Sequence, residues 1–140
     1  MAHQISKEHV WAGAIPDRPA ALADKLRELS KAGLDLELIL ARQEIPGRAL
    51  LFISPLRTLE EILAAEEAGL SQEQNVRAVR ISGPNETGLG ARIAGTLADA
   101  DLNLRAYSAA ALGKKHVTHL AFNSEEDADR AVEALKRELA

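Results

Sequence analysis

The sequence predicts an α+β fold made of two copies of one small unit, each an antiparallel sheet with helices on a single face. Three observations predict it. Leu22, Leu26 and Leu29 recur at helical spacing, Gly33 follows, and then Leu34, Leu36, Leu38 and Leu40 alternate with Asp35, Glu37 and Ile39. The first spacing is that of an amphipathic helix and the second that of a strand with one buried face. The same order returns downstream, where Ala32-Gly33-Leu34-Asp35-Leu36-Glu37 matches Ala100-Asp101-Leu102-Asn103-Leu104-Arg105 at an offset of 68 residues. Hairpin turns also occupy the same place in both copies, Ile45-Pro46-Gly47-Arg48 in one and Leu112-Gly113-Lys114-Lys115 in the other. Residues 1–75 and 76–140 are the two expected domains.

Residues 1–9 are polar, with Gln4-Ile5-Ser6 able to pair as a short edge strand. Val10 to Ile15 reads as a strand with Trp11, Gly13 and Ile15 on one side. Pro16 to Pro19 turns the chain into a helix from about Ala20 to Ala32, with Asp17 or Arg18 near its N-cap. Gly33 closes it, because a left-handed residue at a helix end is cheapest as glycine. Strands are expected over Leu34–Gln43 and Ala49–Ser54. Thr58-Leu59-Glu60-Glu61 is a capping box, and the helix it opens places Leu59, Ile62, Leu63 and Glu66 on one face up to Gly69. Leu70 to Asn75 is a weak, polar fourth strand.

The second copy starts with a strand over Val76–Ser82 and the turn Gly83-Pro84-Asn85-Glu86. A helix over Thr87–Ala100 follows, with Leu89, Ile93 and Leu97 inward. Strands over Leu102–Ala110 and Val117–Phe122 precede a last helix, Glu125–Leu139, capped by Ser124 and burying Ala128, Ala131 or Val132, Leu135 and Leu139. This copy has no fourth strand of its own, so the tail around Ile5, or another subunit, is expected at its open edge. Strand-helix-strand-strand-helix(-strand), with right-handed crossovers, is the ferredoxin-like βαββαβ arrangement.

Composition narrows the function. The chain has 140 residues, 46% of them hydrophobic, and a net charge of −4 from 17 basic and 21 acidic residues of interspersed sign. A nucleic-acid binder would show a basic face and stacking aromatics; the aromatics here are Trp11, Phe52, Tyr107 and Phe122, so no nucleic-acid partner is expected. Cysteine is absent, which excludes disulfides and thiolate chemistry. No apolar run has the length of a membrane span and the N-terminus has no signal core, so the expectation is a cytoplasmic protein with no membrane partner.

Catalytic motifs are missing as well. There is no Gly-x-Ser-x-Gly, phosphate loop or zincin pair, and Gly83-Pro84-Asn85-Glu86-Thr87-Gly88-Leu89-Gly90 lacks the dinucleotide spacing. His116 and His119 lie three apart on a strand and point to opposite faces, so they would not share a metal. No catalytic residue, metal or cofactor is expected. The strand-to-helix turns offer something else: bare backbone amides at the positive end of a helix dipole, able to hold a carboxylate. Ala20-Ala21-Leu22 and Thr87-Gly88-Leu89 supply such amides, and Asp17, Asn85 and Glu86 are candidate acceptors for an ammonium group. The alternative reading gives Asp17 and Thr87 to helix capping and Asn85 to the turn.

Order, spacing and turns together resemble the ACT domain, over roughly residues 10–139. The likeness is carried by Asp17-Arg18-Pro19-Ala20-Ala21-Leu22 and Ala32-Gly33-Leu34-Asp35-Leu36, and in the second copy by Asn85-Glu86-Thr87-Gly88-Leu89 and Asp101-Leu102-Asn103-Leu104. The family pattern is Asp-Arg-Pro-Gly-x-Leu and Ala-Gly-(apolar)-Asn-(apolar). The first copy has Ala20 where glycine is usual, and the second keeps Gly88 but has Glu86-Thr87 for Arg-Pro, which favours the second copy as binder. The resemblance implies a non-catalytic regulatory protein of amino-acid metabolism, and ligand contacts at Asp17, Arg18, Ala20, Ala21, Leu22, Asn85, Glu86, Thr87, Gly88 and Leu89. It implies a free amino acid as ligand, in a pocket between modules closed by strand residues such as Ile39, Leu40 and Ala41 or Tyr107, Ser108 and Ala109. A homodimer is expected because a module with exposed sheet edges tends to dimerise, and a partner enzyme is expected with the resemblance; the alternative is a ligand-free regulatory subunit or scaffold for a biosynthetic enzyme.

Overall fold

Residues 3–140 are described in a computed structural model, with the side chains of 73–76 outside the description. The elements are β1 (Gln4–Pro16), α1 (Ala21–Ser30), β2 (Leu38–Ile45), β3 (Arg48–Ser54), α2 (Leu59–Glu67), β4 (Ser71–Pro84), α3 (Leu89–Asp99), β5 (Ala106–Leu112), β6 (Lys115–Phe122) and α4 (Glu125–Leu139). They form two compact units. Residues 9–76 make the N-terminal unit; residues 77–140, with the chain up to Glu8, make the C-terminal one. Among the described residues no helix is long and apolar enough to cross a membrane.

In the N-terminal unit the strand order is β2-β3-β1, with the start of β4 beside β1. The pairs are antiparallel, Trp11 opposite Ile53 and Ile15 opposite Ala49, with Leu40 opposite Phe52 on the other side of β3. Residues two apart on a strand share a face, so Trp11 and Ile15 meet Leu51 and Ile53 under the helices. The same core takes Leu29 from α1 and Ala65 from α2, with Leu22, Leu26 and Ile62 at its margin. Both helices therefore cover one face of the sheet. The α1 stripe is the one its spacing predicts, while α2 is rotated from expectation. Leu59 and Leu63 are 70% and 49% exposed, and Ala65 and Ala68 are buried in their place. The capping box forms with a shifted return bond: Thr58 accepts from the Glu61 amide at 3.1 Å, and the Glu61 carboxylate accepts from the Arg57 amide at 2.6 Å. Residues 34–37 precede the strand instead of starting it, yet Leu34 and Leu36 still pack against the core.

The C-terminal unit orders its strands as β1-β4-β6-β5, using the Gln4–Glu8 stretch of β1. Ile81 faces Thr118 across the β4–β6 ladder and Tyr107 faces Leu120 across β5–β6. Leu89, Ile93 and Leu97 of α3 and Ala128, Ala131, Leu135 and Leu139 of α4 cover the same face as Val79, Ile81, Leu120 and Phe122. Ser124 caps α4 by accepting from the Asp127 amide at 3.1 Å. β4 is one continuous strand where two were expected.

The expected open edge is closed by the chain's own beginning. Ile5 is buried in the α3–α4 core, and the His3 amide donates to the Leu139 carbonyl at 3.2 Å. Truncating a buried isoleucine removes its transfer energy and leaves a cavity. Ile5→Ala is therefore expected to cost about 2–4 kcal/mol in a denaturant titration; a change under about 0.5 kcal/mol, the range of ordinary surface substitutions, would mean the strand start contributes nothing.

Candidate functional site

The four helices begin in two ways. α2 and α4 have side-chain caps, Thr58 and Ser124. α1 and α3 have none. Their N-cap residues are Ala20, with φ 72°, and Gly88, with φ 82°, both left-handed and 68 positions apart in the chain. Neither Asp17 nor Thr87 is the capping residue. In α3 the Leu89 amide donates to Glu86 O at 3.2 Å and the Arg92 amide to Gly88 O at 3.0 Å, which starts the regular ladder. The amides of Gly90 and Ala91 fall between these two and belong to the first turn, which a helix cannot satisfy internally. They sit at the positive end of the helix dipole.

In the C-terminal unit this turn opens onto a cavity of about 290 Å³. Asn85, Glu86, Gly88 and Gly90 form its helix side; Tyr107 and Ala109 of β5 and His116 and Thr118 of β6 form its sheet side. Small residues make the space. A Cβ on Gly90 would stand 3.3 Å from the Tyr107 hydroxyl, and burial holds that hydroxyl above the usual phenol pKa. Glu86 is held by Arg92 at 3.3 Å, which also reaches Glu138 at 3.4 Å.

The corresponding corner of the N-terminal unit carries larger side chains. Leu22 stands where α3 has Gly90 and packs on the core. The Gln43 amide donates to the Asp17 carboxylate, and the Asp17 amide donates to Gly47 O at 3.1 Å. The sheet side differs too. Ile39 opposite Ile53 corresponds to Tyr107 opposite Leu120, so Leu51 corresponds to Thr118 and Ala49 to His116. All four are buried. Two inward positions that are apolar in one unit are polar in the other.

His116 is the most constrained of these groups. Its Nδ1 lies 3.3 Å from the Thr118 hydroxyl, and its Nε2 is buried with no hydrogen-bond partner among the described residues. The ring is 5.3 Å from that of His3, tilted by 54°, and the His3 ring nitrogens contact Leu139 O at 3.3 Å and Pro84 O at 3.1 Å. Burial first, and then His3, lower the His116 pKa, with Glu86 opposing. His119, on the other face of β6, pairs with Glu8 at 2.9 Å. The two strand histidines diverge, and among the described residues no three metal-ligating side chains cluster.

Solved structures share this architecture. A protein from Bacteroides thetaiotaomicron aligns over 97% of this chain and 90% of its own at 15% identity, with a TM-score of 0.76. The regulatory subunit of aspartate kinase from Thermus thermophilus, in its ligand-free form, aligns over 98% of this chain and 96% of its own at 18% identity, with a TM-score of 0.66. Aspartate kinase from Clostridium acetobutylicum matches 99% of this chain with 34% of its own, at 12% identity and a TM-score of 0.61. This chain has the ACT-type fold. No family model matches the sequence, and no curated protein does.

The sequence-predicted residues fall at the two ACT corners. Asn85, Glu86, Gly88 and Leu89 line the cavity of the C-terminal ACT unit, with Thr87 exposed in the turn beside them. Asp17, Arg18, Ala20, Ala21 and Leu22 occupy the N-terminal corner, where Ala21 is buried and the Arg18 guanidinium donates to Pro19 O at 3.3 Å. Gly90, His116 and Thr118 were not anticipated as lining residues. The second hairpin is one residue shorter than the first, which hides the equivalence of Thr118 with Leu51.

Two measurements follow from these corners. A left-handed non-glycine residue costs about 1–2 kcal/mol, partly offset in glycine by unfolded-state entropy. Ala20→Gly should then raise stability by up to about 1 kcal/mol and Gly88→Ala lower it by about as much. A Cβ at Gly88 meets nothing within 4 Å, so the loss is conformational; denaturant midpoints moving the same way in both variants would contradict it. The lowered His116 pKa sets a pH effect. Below the ordinary value of 6.5 the unfolded chain takes up a proton that folded His116 resists, so stability falls as pH falls through that window. Removing the imidazole in His116→Gln is expected to flatten the decline between about pH 7 and 5.5; equal slopes for variant and parent would refute the assignment.

Proposed function

We propose that the protein is a non-catalytic regulatory module that binds a free amino acid at the C-terminal corner. The observation that carries this reading is an uncapped, left-handed helix start that opens onto a cavity. The α-carboxylate would lie against the Gly90 and Ala91 amides, where unsatisfied donors and the helix dipole favour an anion. The ammonium group would meet the Asn85 side-chain carbonyl or the Glu86 carboxylate, both in the cavity wall. Thr87, Gly88 and Leu89 shape that turn. Asp17, Arg18, Ala20, Ala21 and Leu22 would maintain the other corner without holding ligand, since Leu22 stands there in place of Gly90 and packs on the core, and Asp17 is engaged by Gln43. Binding would act by population shift, favouring one packing that a partner enzyme reads. The aspartate kinase regulatory subunits of the same fold support a regulatory partner of this kind.

A second copy of the chain is the expected neighbour of β5. This strand is the outer one of its sheet, exposed along its whole length and without a charged side chain, whereas solitary proteins blunt such edges with charge or proline. The reading is tested by thermal unfolding against the twenty amino acids, with sedimentation in the same buffers. A ligand at 100 times its Kd adds about 2.7 kcal/mol of stability, and a dimer is expected. Gly90→Leu, which copies Leu22 into the open corner, should keep the fold and abolish the shift. If no amino acid moves the wild-type transition, the binding role fails; a monomer at all concentrations removes the self-association.

A further inference from the structure

The sheet side of the cavity is polar where the sister unit is apolar, and that difference bears on which ligand is taken. His116 and Thr118 face inward at 7% and 1% exposure, at positions held by Ala49 and Leu51 in the N-terminal unit. Packing alone would be served by an alanine and a leucine, as it is there. His116 lines the cavity and its Nε2 is buried without a partner among the described residues; a buried polar atom is stable only when something pairs with it. The ring is not free to turn away, because Nδ1 is at the Thr118 hydroxyl and the other side of the ring meets His3. The groups facing it are His3 from β1's approach, Glu86 from the turn and Thr118 from its own strand.

We infer that His116 selects ligands whose side chain ends in a neutral hydrogen-bonding group, a hydroxyl or a carboxamide, over aliphatic side chains of the same size. The inference rests on the amino-acid reading above and adds the chemistry at the far end of the ligand. An aliphatic group lodged against Nε2 would leave that nitrogen unpaired and cut off from water. A hydroxyl can donate or accept and so suits either tautomer of the ring. Sites built to pair with a substrate hydroxyl discriminate strongly against the analogue that lacks it.

The test is calorimetric titration of the full chain at pH 7.5 with isosteric pairs: threonine against valine, and asparagine against leucine. Wild type is expected to prefer the polar member of each pair at least tenfold. His116→Ala restores the residue of the sister unit, so the fold should tolerate it, and the preference should shrink to about twofold with valine binding retained. His116→Gln keeps a hydrogen-bonding group and should recover part of the preference. Equal affinities within both pairs in wild type overturn the inference while leaving the amino-acid reading intact, and so does an unchanged preference in His116→Ala. Absence of binding by any amino acid overturns both. The wild-type comparison stands whether or not a variant folds.

Discussion

The left-handed residue at the start of α1 and of α3 is the constraint from which the functional geometry follows. A helix has first-turn amides without intrahelical partners, and neither Ala20 nor Gly88 has a side-chain oxygen to satisfy them. The same helices also leave through left-handed residues, Gly33 with φ 79° and Asp101 with φ 57°. Each copy therefore holds two such positions and gives glycine to only one of them. The N-terminal copy places its strain at the helix entrance, the C-terminal copy at the exit. Strain of this kind persists only where the surrounding structure fixes it. Its retention at Ala20 shows that the turn is imposed by the unit as a whole and not by glycine's freedom.

Glycine at the entrance has a second consequence, because it leaves the approach to the amides free of a methyl group. The copy with Gly88 is also the copy with Gly90 in the first turn and with His116 and Thr118 on the sheet. These choices cooperate. Leu22 in place of Gly90, or Leu51 in place of Thr118, fills space by apolar packing and favours a solid core. The open copy forgoes that packing and buries polar atoms, which stabilises the unit less unless an occupant supplies the contacts.

Much of this was legible in the chain. Spacing and capping residues place α4, with its Ser124 cap and buried Ala128, Ala131 and Leu135, and Pro46-Gly47 places the first hairpin. These are local signals, each fixed within a few residues. Where the outcome depended on distant packing, sequence was ambiguous. A nine-residue helix with Leu59, Ile62, Leu63, Ala64 and Ala65 can turn either of two apolar sides inward, and the side with Ala65 and Ile62 is the one that meets the core. Alternating leucines at 34 and 36 read as strand, although a loop running past the sheet edge buries the same residues. The pairing of Ile5 with the C-terminal unit was readable only as a consequence of counting strands. His116 and Thr118 are not legible as cavity residues because one fewer hairpin residue moves β6 out of step with β3, and a single step exchanges the faces of a strand.

The start of the chain is tied to the wall of the cavity. His3 anchors the beginning of β1 to the end of α4 and the end of β4 through Leu139 and Pro84, and its ring rests on His116. A group that pairs with His116 Nε2 fixes the tautomer, and so decides whether Nδ1 donates to Thr118 or accepts from it. It thereby also settles the electrostatic environment that His3 experiences at the first anchored residue of the sheet. Occupancy of the cavity and seating of the opening strand thus share one pair of rings. Were the cavity to take a ligand that favours one state of His116, linkage would couple that binding to the contacts His3 makes.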